Sequence, residues 1–576
     1  MRRIWSAIKR FFLPPAGTPV WLRLLPFAIL GLLTIFVAYG SVEAWNYTNS
    51  SEFCGTTCHT MPPEYSAYLQ SPHARVKCTE CHIGRDVVTT QVTRKAGDLR
   101  HVILTITQDY EFPIYTRNMR PARQSCETCH FPEKFSDDSL REIPHFGGEN
   151  ALTPEITHLI LKTGGGTRRE GLGRGIHWHI ENEVYFLTED PLQQEIPYVR
   201  VVEADGSIKE YYDIASGVTP EDVAGQTLEK MDCITCHNRI THEIPDPTEA
   251  VDQAMLKNLL PRDLPQLREQ AVTLLSHRYQ NQEEAVTGIS ELDAFYETNH
   301  PQVYAERQAD IEAAQATLLD MYNQMVFPEQ KIDWQTHPNN LGHSESPGCF
   351  RCHDGKHLTG TEEAIRLECN LCHSVPVVTD GSELVTEIEL VRGPEPPSHI
   401  HTSWITLHGK MIDSSCASCH EPAPDATPYT ELEGKPEPSD SFCGNVACHA
   451  NEWEHTGFDS AALEPVLERQ RYILLNTSPY LLEGVALTYD ATFQALFEGR
   501  CVFCHSGANA EAGLDLSTYE GLMAGTAGGP VVIPNDPDSS RLIQVQSGPR
   551  DHFGQVLPEE LDALRSWILD GAPRER

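Results

Sequence analysis

The sequence predicts a mainly α-helical chain with extensive irregular structure, one N-terminal transmembrane helix, a small β insert and a helical C-terminal domain. Three observations carry this. An uncharged run, Leu24 to Val42, is long enough to cross a bilayer. All eighteen cysteines fall into nine short motifs that each end in histidine. A cysteine-free stretch of good helix formers runs from Pro247 to about Phe327.

The motifs come first because they decide the chemistry. Seven have the form Cys-x-x-Cys-His. They are Cys78 and Cys81 with His82, Cys126 and Cys129 with His130, Cys233 and Cys236 with His237, and Cys349 and Cys352 with His353. Further on come Cys369 and Cys372 with His373, Cys416 and Cys419 with His420, and Cys501 and Cys504 with His505. Two are expanded, Cys54 and Cys58 with His59, and Cys443 and Cys448 with His449. In this pattern two thiols add to the vinyl groups of a haem and the next residue's imidazole ligates its iron. A disulfide framework has no reason to put histidine after every second cysteine, and zinc sites need cysteine pairs rather than repeated triples. Nine covalently bound haems c are expected, so the class is a multihaem cytochrome c. Seventeen further histidines remain for second axial positions, which favours six-coordinate, low-potential electron-transfer centres over open catalytic ones.

Composition agrees. Haems are large apolar bodies that let a chain rich in glycine (39) and proline (40) pack with little regular structure. The 576 residues fit several domains. A formal net charge of −38 argues against a nucleic-acid partner and for an extracytoplasmic redox protein or complex steered by the field.

The apolar run of 19 residues covers about 28 Å at ~1.5 Å per residue, near the ~30 Å hydrocarbon core. Arg2, Arg3, Lys9, Arg10 and Arg23 precede it; Trp45 and Tyr47 suit the far interface. A single-pass anchor in the cytoplasmic membrane is expected, with the N-terminus in the cytoplasm and the haem domains outside. A cleaved signal peptide is the competing reading, with a shorter apolar region and a small-residue cleavage site.

After this helix the order is Cys54…Cys58-His59-x-Met61, then Ser71-Pro72-His73, then Cys78-x-x-Cys81-His82. This resembles the NapC/NirT family of membrane-anchored quinol dehydrogenases. The resemblance implies Met61 as distal ligand of the first haem, His73 paired with His237 on the fourth, and His242 serving the third. It also implies a quinol site beside the first haem, where Lys95 and Asp98 share a helix face and a carboxylate accepts a proton from menaquinol. The plainer alternative has Arg94 and Lys95 binding lipid phosphates. The expanded first motif and the hundred-residue gap between third and fourth motifs depart from the family's small members.

That gap reads as a β insert, about 140–230, with a hairpin of Ile196–Val202, a turn, and Ile208–Ile214. Gly164-Gly165-Gly166 lacks the Lys-Ser/Thr of a phosphate loop. His177 and His179 would lie on opposite strand faces, so one of them is the expected distal ligand of the second haem, with His101, His145 and His158 as competitors. Domains are expected at 1–50 (anchor), 51–247 (tetrahaem), 248–333 (spacer), 334–460 (second tetrahaem cluster) and 474–576 (monohaem domain). The spacer's helical runs are Asp252–Leu260, Leu267–Arg278 and Pro301–Met325, with His277 and His300 not ligands.

In the second cluster the distal candidates are His343, His357, His408 and His455, with His337 competing with His343, and His399 and His401 with His408. The last segment resembles a class I cytochrome c domain. The usual Met-Pro is replaced by Gln555-Val556-Leu557-Pro558, leaving His552 as distal candidate and Met523 behind it. The expected function is electron transfer between menaquinone and an outer acceptor. The alternatives are a reductase of a small nitrogen oxyanion, and an electron-transfer subunit of a larger complex.

Overall fold

The computed structural model describes residues 5, 9, 11–97, 99–107, 109, 112–116, 119–131, 138–147, 152–164, 175–203, 205–343, 346–367, 371–380, 455–502, 504–507, 510–548, 552 and 555–575. Asp98, Cys369, His399, His401 and His408 lie outside them. So do the seventh and eighth motifs, Cys416, Cys419 and His420, and Cys443, Cys448 and His449. Contacts group the chain into two compact units, Met1–Phe131 with His237–His337, and Pro132–Cys236 with Pro338–Arg576.

The first unit opens with α1 (Val20–Thr48), whose 29 residues span about 43 Å at ~1.5 Å rise. Its apolar side chains are exposed around the whole circumference, Leu33 and Phe36 among them, and only Pro26 is buried. A helix apolar on every face with no protein against it is one that lipid solvates. Next comes α2 (Ser51–Thr57), capped by Ser50, whose Oγ accepts from Phe53 N at 3.1 Å. It carries Cys54 and ends at Cys58. Gly55 faces α3 (Pro62–Gln70), and a Cβ there would lie 2.2 Å from the Tyr65 ring. Only glycine lets the first motif pack so closely on α3. Tyr68 Oη donates to Ala74 O (2.7 Å) or Val76 O (3.0 Å), pinning the loop that carries His73.

Two amphipathic helices follow, α4 (Val88–Gly97) and α5 (Leu99–Thr107), leaving Val88, Val92, Ile103 and Ile106 exposed. Helices α6 (Pro247–Leu256), α7 (Leu267–Ser276), α8 (Gln282–Asn299) and α9 (Pro301–Met325) fill the cysteine-free stretch. In α8 and α9 the buried residues recur at spacings of three and four: Ala285, Ile289, Leu292, Tyr296, then Ile311, Ala314, Leu318, Tyr322. Each large side chain there contributes about 1.5–3 kcal/mol on burial. The sequence reading missed α8, although Asn281 caps it by accepting from Glu284 N at 3.0 Å.

The second unit holds two antiparallel sheets. One has the order β1-β2-β8 (Ser139–His145, Glu155–Leu161, Val377–Asp380). The other runs β6-β3-β4-β5-β7 (Glu229–Lys230, Glu183–Leu187, Tyr198–Val202, Ile208–Asp213, His357–Leu358). The β4–β5 hairpin forms with Val199 and Val201 inward and Val202 opposite Ile208. The sheets are larger than the expected insert because β7 and β8 come from the later haem cluster and complete them.

After α10 (Glu464–Asn476) the last segment folds round its own core. Its elements are α11 (Gln494–Arg500), α12 (Tyr519–Ala524), α13 (Arg541–Gln546) and α14 (Pro558–Leu569). Phe493, Phe497, Leu522, Leu564, Trp567 and Ile568 are fully buried there.

Candidate haem-binding sites

Several attachment cysteines sit on short helical turns, a geometry that sets residues three and four apart on one face. Cys78 and Cys81 lie within Cys78–His82, and Cys233 and Cys236 bound Cys233–Cys236. Cys126 opens the turn Cys126–Thr128 and Cys129 closes it, with the Cys129 N–H donating to Cys126 O at 3.1 Å. Cys504 N–H donates likewise to Cys501 O at 3.2 Å, and Cys352 N–H to Cys349 O at 3.3 Å. Cys372 O accepts from Lys162 N at 2.8 Å, which ties the sixth motif to the strand Glu155–Leu161. Cys352 and Cys501 are buried and Cys129 is exposed; Cys54, Cys58, Cys78, Cys81, Cys126, Cys233, Cys236, Cys349, Cys372 and Cys504 are half-buried. Cys369, Cys416, Cys419, Cys443 and Cys448 fall outside the described residues, so the sixth motif is described only from Cys372 onward.

Two imidazoles that share an iron, each through a metal–nitrogen bond of about 2 Å, have ring centres about 6 Å apart. Among the described residues, five pairs that join a motif histidine to one outside the motifs stand at that separation. They are His73–His130 (6.0 Å), His82–His242 (6.1 Å), His179–His353 (5.7 Å), His343–His373 (6.3 Å) and His505–His552 (6.2 Å). The donor set fits haem held between two imidazoles. The last pair is nearly parallel, at 3° between ring planes.

Several partners differ from the sequence expectation. His73 faces His130 of the third motif rather than His237, and His242 faces His82 of the second rather than the third. His177 and His179 do not alternate on a strand. His177 caps a single helical turn, Trp178–Glu181, which turns the His179 ring to His353 of the fifth motif. His343 meets His373 of the sixth motif and stacks on Phe350 at 4.6 Å.

His357 is not placed as a ligand. It is buried, with Nδ1 2.9 Å from Asp354 Oδ1 and Nε2 2.6 Å from Ile196 O, so both nitrogens are engaged. Burial opposes its charge, but Asp354 raises its pKa overall. His158 is likewise held, by Thr379 Oγ1 at 3.0 Å and Glu142 at 3.5 Å. His145 lies on β1 and His101 on α5. His455 lies close enough to His343 to act on its pKa, which burial and then His373 lower first. His337 is half-buried against Tyr115, and loss of solvent drives its pKa down to about 4. His277 and His300 pack on Tyr279 and Tyr296. Met523 packs on the terminal core, Met61 caps α3, and the His59 ring meets Phe112 edge-on at 6.3 Å.

Ring orientation comes from the second nitrogen. His179 Nδ1 lies 2.7 Å from Ile176 O, His373 Nδ1 2.6 Å from Ser374 O, and His505 Nδ1 3.1 Å from Glu511 O. His353 Nδ1 bonds Arg366 O. His242 Nδ1 lies 3.1 Å from Glu64 O and, unlike the others, also 2.9 Å from a carboxylate, that of Glu64 itself. Burial opposes the Glu64 charge, but the His242 bond and then Arg239 overcome it and hold the carboxyl at about 2. Nothing in the sequence pointed to Glu64, since its partner lies 178 residues away.

Attachment cysteines of successive motifs lie near enough to act on one another's thiols. The Cys54 thiol hydrogen-bonds Cys78, the leading cause that pushes Cys54 up and Cys78 down. The Cys81 thiol is raised by burial and next by Cys126. In the second unit Cys236 is raised by burial and next by Cys349.

Beside the first motif, Lys95 reaches from α4 to the end of α1. Its Nζ donates to Thr48 O (2.7 Å), Thr48 Oγ1 (2.8 Å) and Asn49 Oδ1 (3.0 Å), and lies 5.0 Å from the centre of the Trp45 ring. Three donors meet three acceptors at the negative end of the helix dipole.

The N-terminal region of the NapC/NirT cytochrome c family matches residues 20–113, and Planctomycete cytochrome C matches residues 501–547. Cytochrome c-type protein ImcH of Geobacter sulfurreducens is 38% identical over 419 residues, 72% of this chain and 80% of that protein. Cytochrome c-type protein NrfH of Wolinella succinogenes is 32% identical over 116 residues, 19% of this chain and 64% of that protein. Cytochrome c-type protein TorC of Escherichia coli K12 is 31% identical over 93 residues, 15% of this chain and 22% of that protein. No solved structure matches. With the histidine pairs, the anchor helix and a relative matched over most of its length, the chain belongs to the NapC/NirT family of membrane-anchored multihaem cytochromes c.

Proposed function

We propose that this chain takes electrons from menaquinol at the outer face of the cytoplasmic membrane and delivers them, through nine attached haems, to an extracytoplasmic redox partner. As a family member it carries electrons between the quinone pool and partners outside the membrane. The nine haems, menaquinol as donor and the N-terminus-in orientation are the finer parts of the proposal.

Each haem supplies a one-electron iron couple when bound. The chain's part is to hold the groups close and to keep their ligands fixed. His59, His82, His130, His237, His353, His373, His420, His449 and His505 take the proximal positions. His242, His73, His179, His343 and His552 take the distal positions of the second, third, fifth, sixth and ninth. The observation that carries the reading is the set of imidazole pairs at 5.7–6.3 Å between ring centres, each joining a motif histidine to one outside the motifs.

Menaquinol oxidation releases two electrons and two protons, so the site needs a base as well as a route for charge. The Lys95 corner is the site we propose, with Lys95 positioning α4 against α1 and Asp98 as the proton acceptor. Full-length haem-loaded protein in liposomes with a menaquinol analogue tests this. The expected result is reduction of the haem α band without any added redox partner. Failure to reduce while dithionite still does so would sink the proposal.

A further inference from the structure

Four of the histidines proposed as ligands, His179, His353, His373 and His505, give their second nitrogen to a neutral backbone carbonyl. His242 has a carbonyl too, Glu64 O at 3.1 Å from its Nδ1, but adds to it the Glu64 carboxylate at 2.9 Å. Glu64 is 8% exposed and belongs to the first turn of α3, where Pro62 and Pro63 withhold two backbone N–H groups. One of its oxygens, Oε2, lies 2.9 Å from His242 Nδ1 and 3.6 Å from Arg239 Nη2. The guanidinium is itself mostly buried and also donates to the His242 carbonyl. The charge is thus fixed on one side by Arg239 and lies on the other against an imidazole whose ring centre is 6.1 Å from that of His82.

A carboxylate on the second nitrogen draws the N–H proton and gives the imidazole anionic character. More electron density at the ligating nitrogen favours the oxidised iron over the reduced. We propose that Glu64 is a positioning residue whose carboxylate lowers the reduction potential of the second haem through His242, setting it apart from the sites whose second nitrogen meets a carbonyl alone. This rests on the reading of His242 as a ligand to that haem. It places a low-potential step directly after the first haem, so that electrons entering from quinol meet a barrier that the later, carbonyl-partnered sites lack.

The test uses the full-length haem-loaded protein in detergent, with Glu64→Gln and His242→Ala side by side. Gln keeps size and an acceptor oxygen but loses the charge, and a charge-assisted hydrogen bond is about twice as strong as a neutral one. Removing that excess shifts the equilibrium of one centre about tenfold toward the reduced form, which is about 59 mV for a one-electron couple. A redox titration followed by electron paramagnetic resonance should show one low-spin component moved upward by that amount. It should be the component that His242→Ala converts to high spin. If His242→Ala leaves every low-spin component in place, the ligand reading fails and the proposal with it. If His242→Ala removes one component but Glu64→Gln moves no potential upward, the ligand reading stands and the tuning role is overturned. A high-spin signal in Glu64→Gln overturns it too, because the carboxylate then only holds the ring in place.

Discussion

Replacing Lys95 with alanine probes the corner where the anchor helix meets the haem-bearing region. The ammonium makes three hydrogen bonds to the last turn of α1 and lies over Trp45. Hydrogen bonds to a charged group contribute about 1.5–3 kcal/mol each in isolation, but these share one partly exposed cation, so about 2 kcal/mol is a fair total. The helix dipole adds about 0.5 kcal/mol and the ring contact about 0.5. The corner therefore loses about 3 kcal/mol, equivalent to about a hundredfold faster opening. Hydrogen exchange of the protein in nanodiscs reads this directly. The amides of Asn49 and Ser50, which donate to Trp45 O (3.1 Å) and Tyr47 O (3.0 Å), should lose protection by about that factor. Menaquinol-driven reduction should slow in parallel while dithionite reduction is unchanged. Exchange that changes by less than about threefold would refute the capping argument.

Other perturbations separate ligands from structural histidines. His179→Ala and His343→Ala should each create one high-spin, ligand-binding haem, seen in the optical spectrum on adding cyanide. His357→Ala should create none. It should instead destabilise the second unit by about 2 kcal/mol, because the buried Asp354 carboxylate keeps Lys356 at 3.4 Å but loses its imidazole partner, measurable in denaturant titrations. Glu560 is fully buried, accepting from Ser478 Oγ (2.5 Å), Arg500 Nη2 (2.9 Å) and Leu557 N (2.8 Å). Glu560→Ala should cost the terminal domain about 3 kcal/mol and expose residues 478–575 to limited proteolysis before the rest of the chain.

What the sequence made legible follows from how far each determinant reaches along the chain. Haem attachment needs only the stretch from first cysteine to histidine, Cys78 to His82 or at its longest Cys443 to His449, so the pattern is complete in the sequence. The anchor is a single apolar run, and the β4–β5 hairpin shows as alternation around a turn. The helix α8 was there to be read from Asn281, Glu283 and Glu284, but Gly288 and scattered polar residues blurred its apolar spacing. The second axial ligand is different in kind, because it is chosen by packing. His179 sits 174 positions before His353, and His242 sits 160 after His82. No local spacing encodes such a pair. Proximity to a motif was the guide for His357, and that guide fails because Asp354, one residue after the fifth motif, and Ile196 O claim both its nitrogens.

The same point changes what the β insert is for. Read alone, residues 140–230 look like an addition to a small tetrahaem protein. Yet β5 pairs with His357–Leu358, β2 pairs with Val377–Asp380, and the turn before β3 holds His179 against His353. Each of these contacts ties the insert to the second haem cluster within one unit. The insert thus supplies that cluster with one imidazole, His179, and with strands that wall it. Deleting residues 175–181 should then abolish low-spin ligation at the fifth motif and leave the pairs of the first unit, His73–His130 and His82–His242, intact.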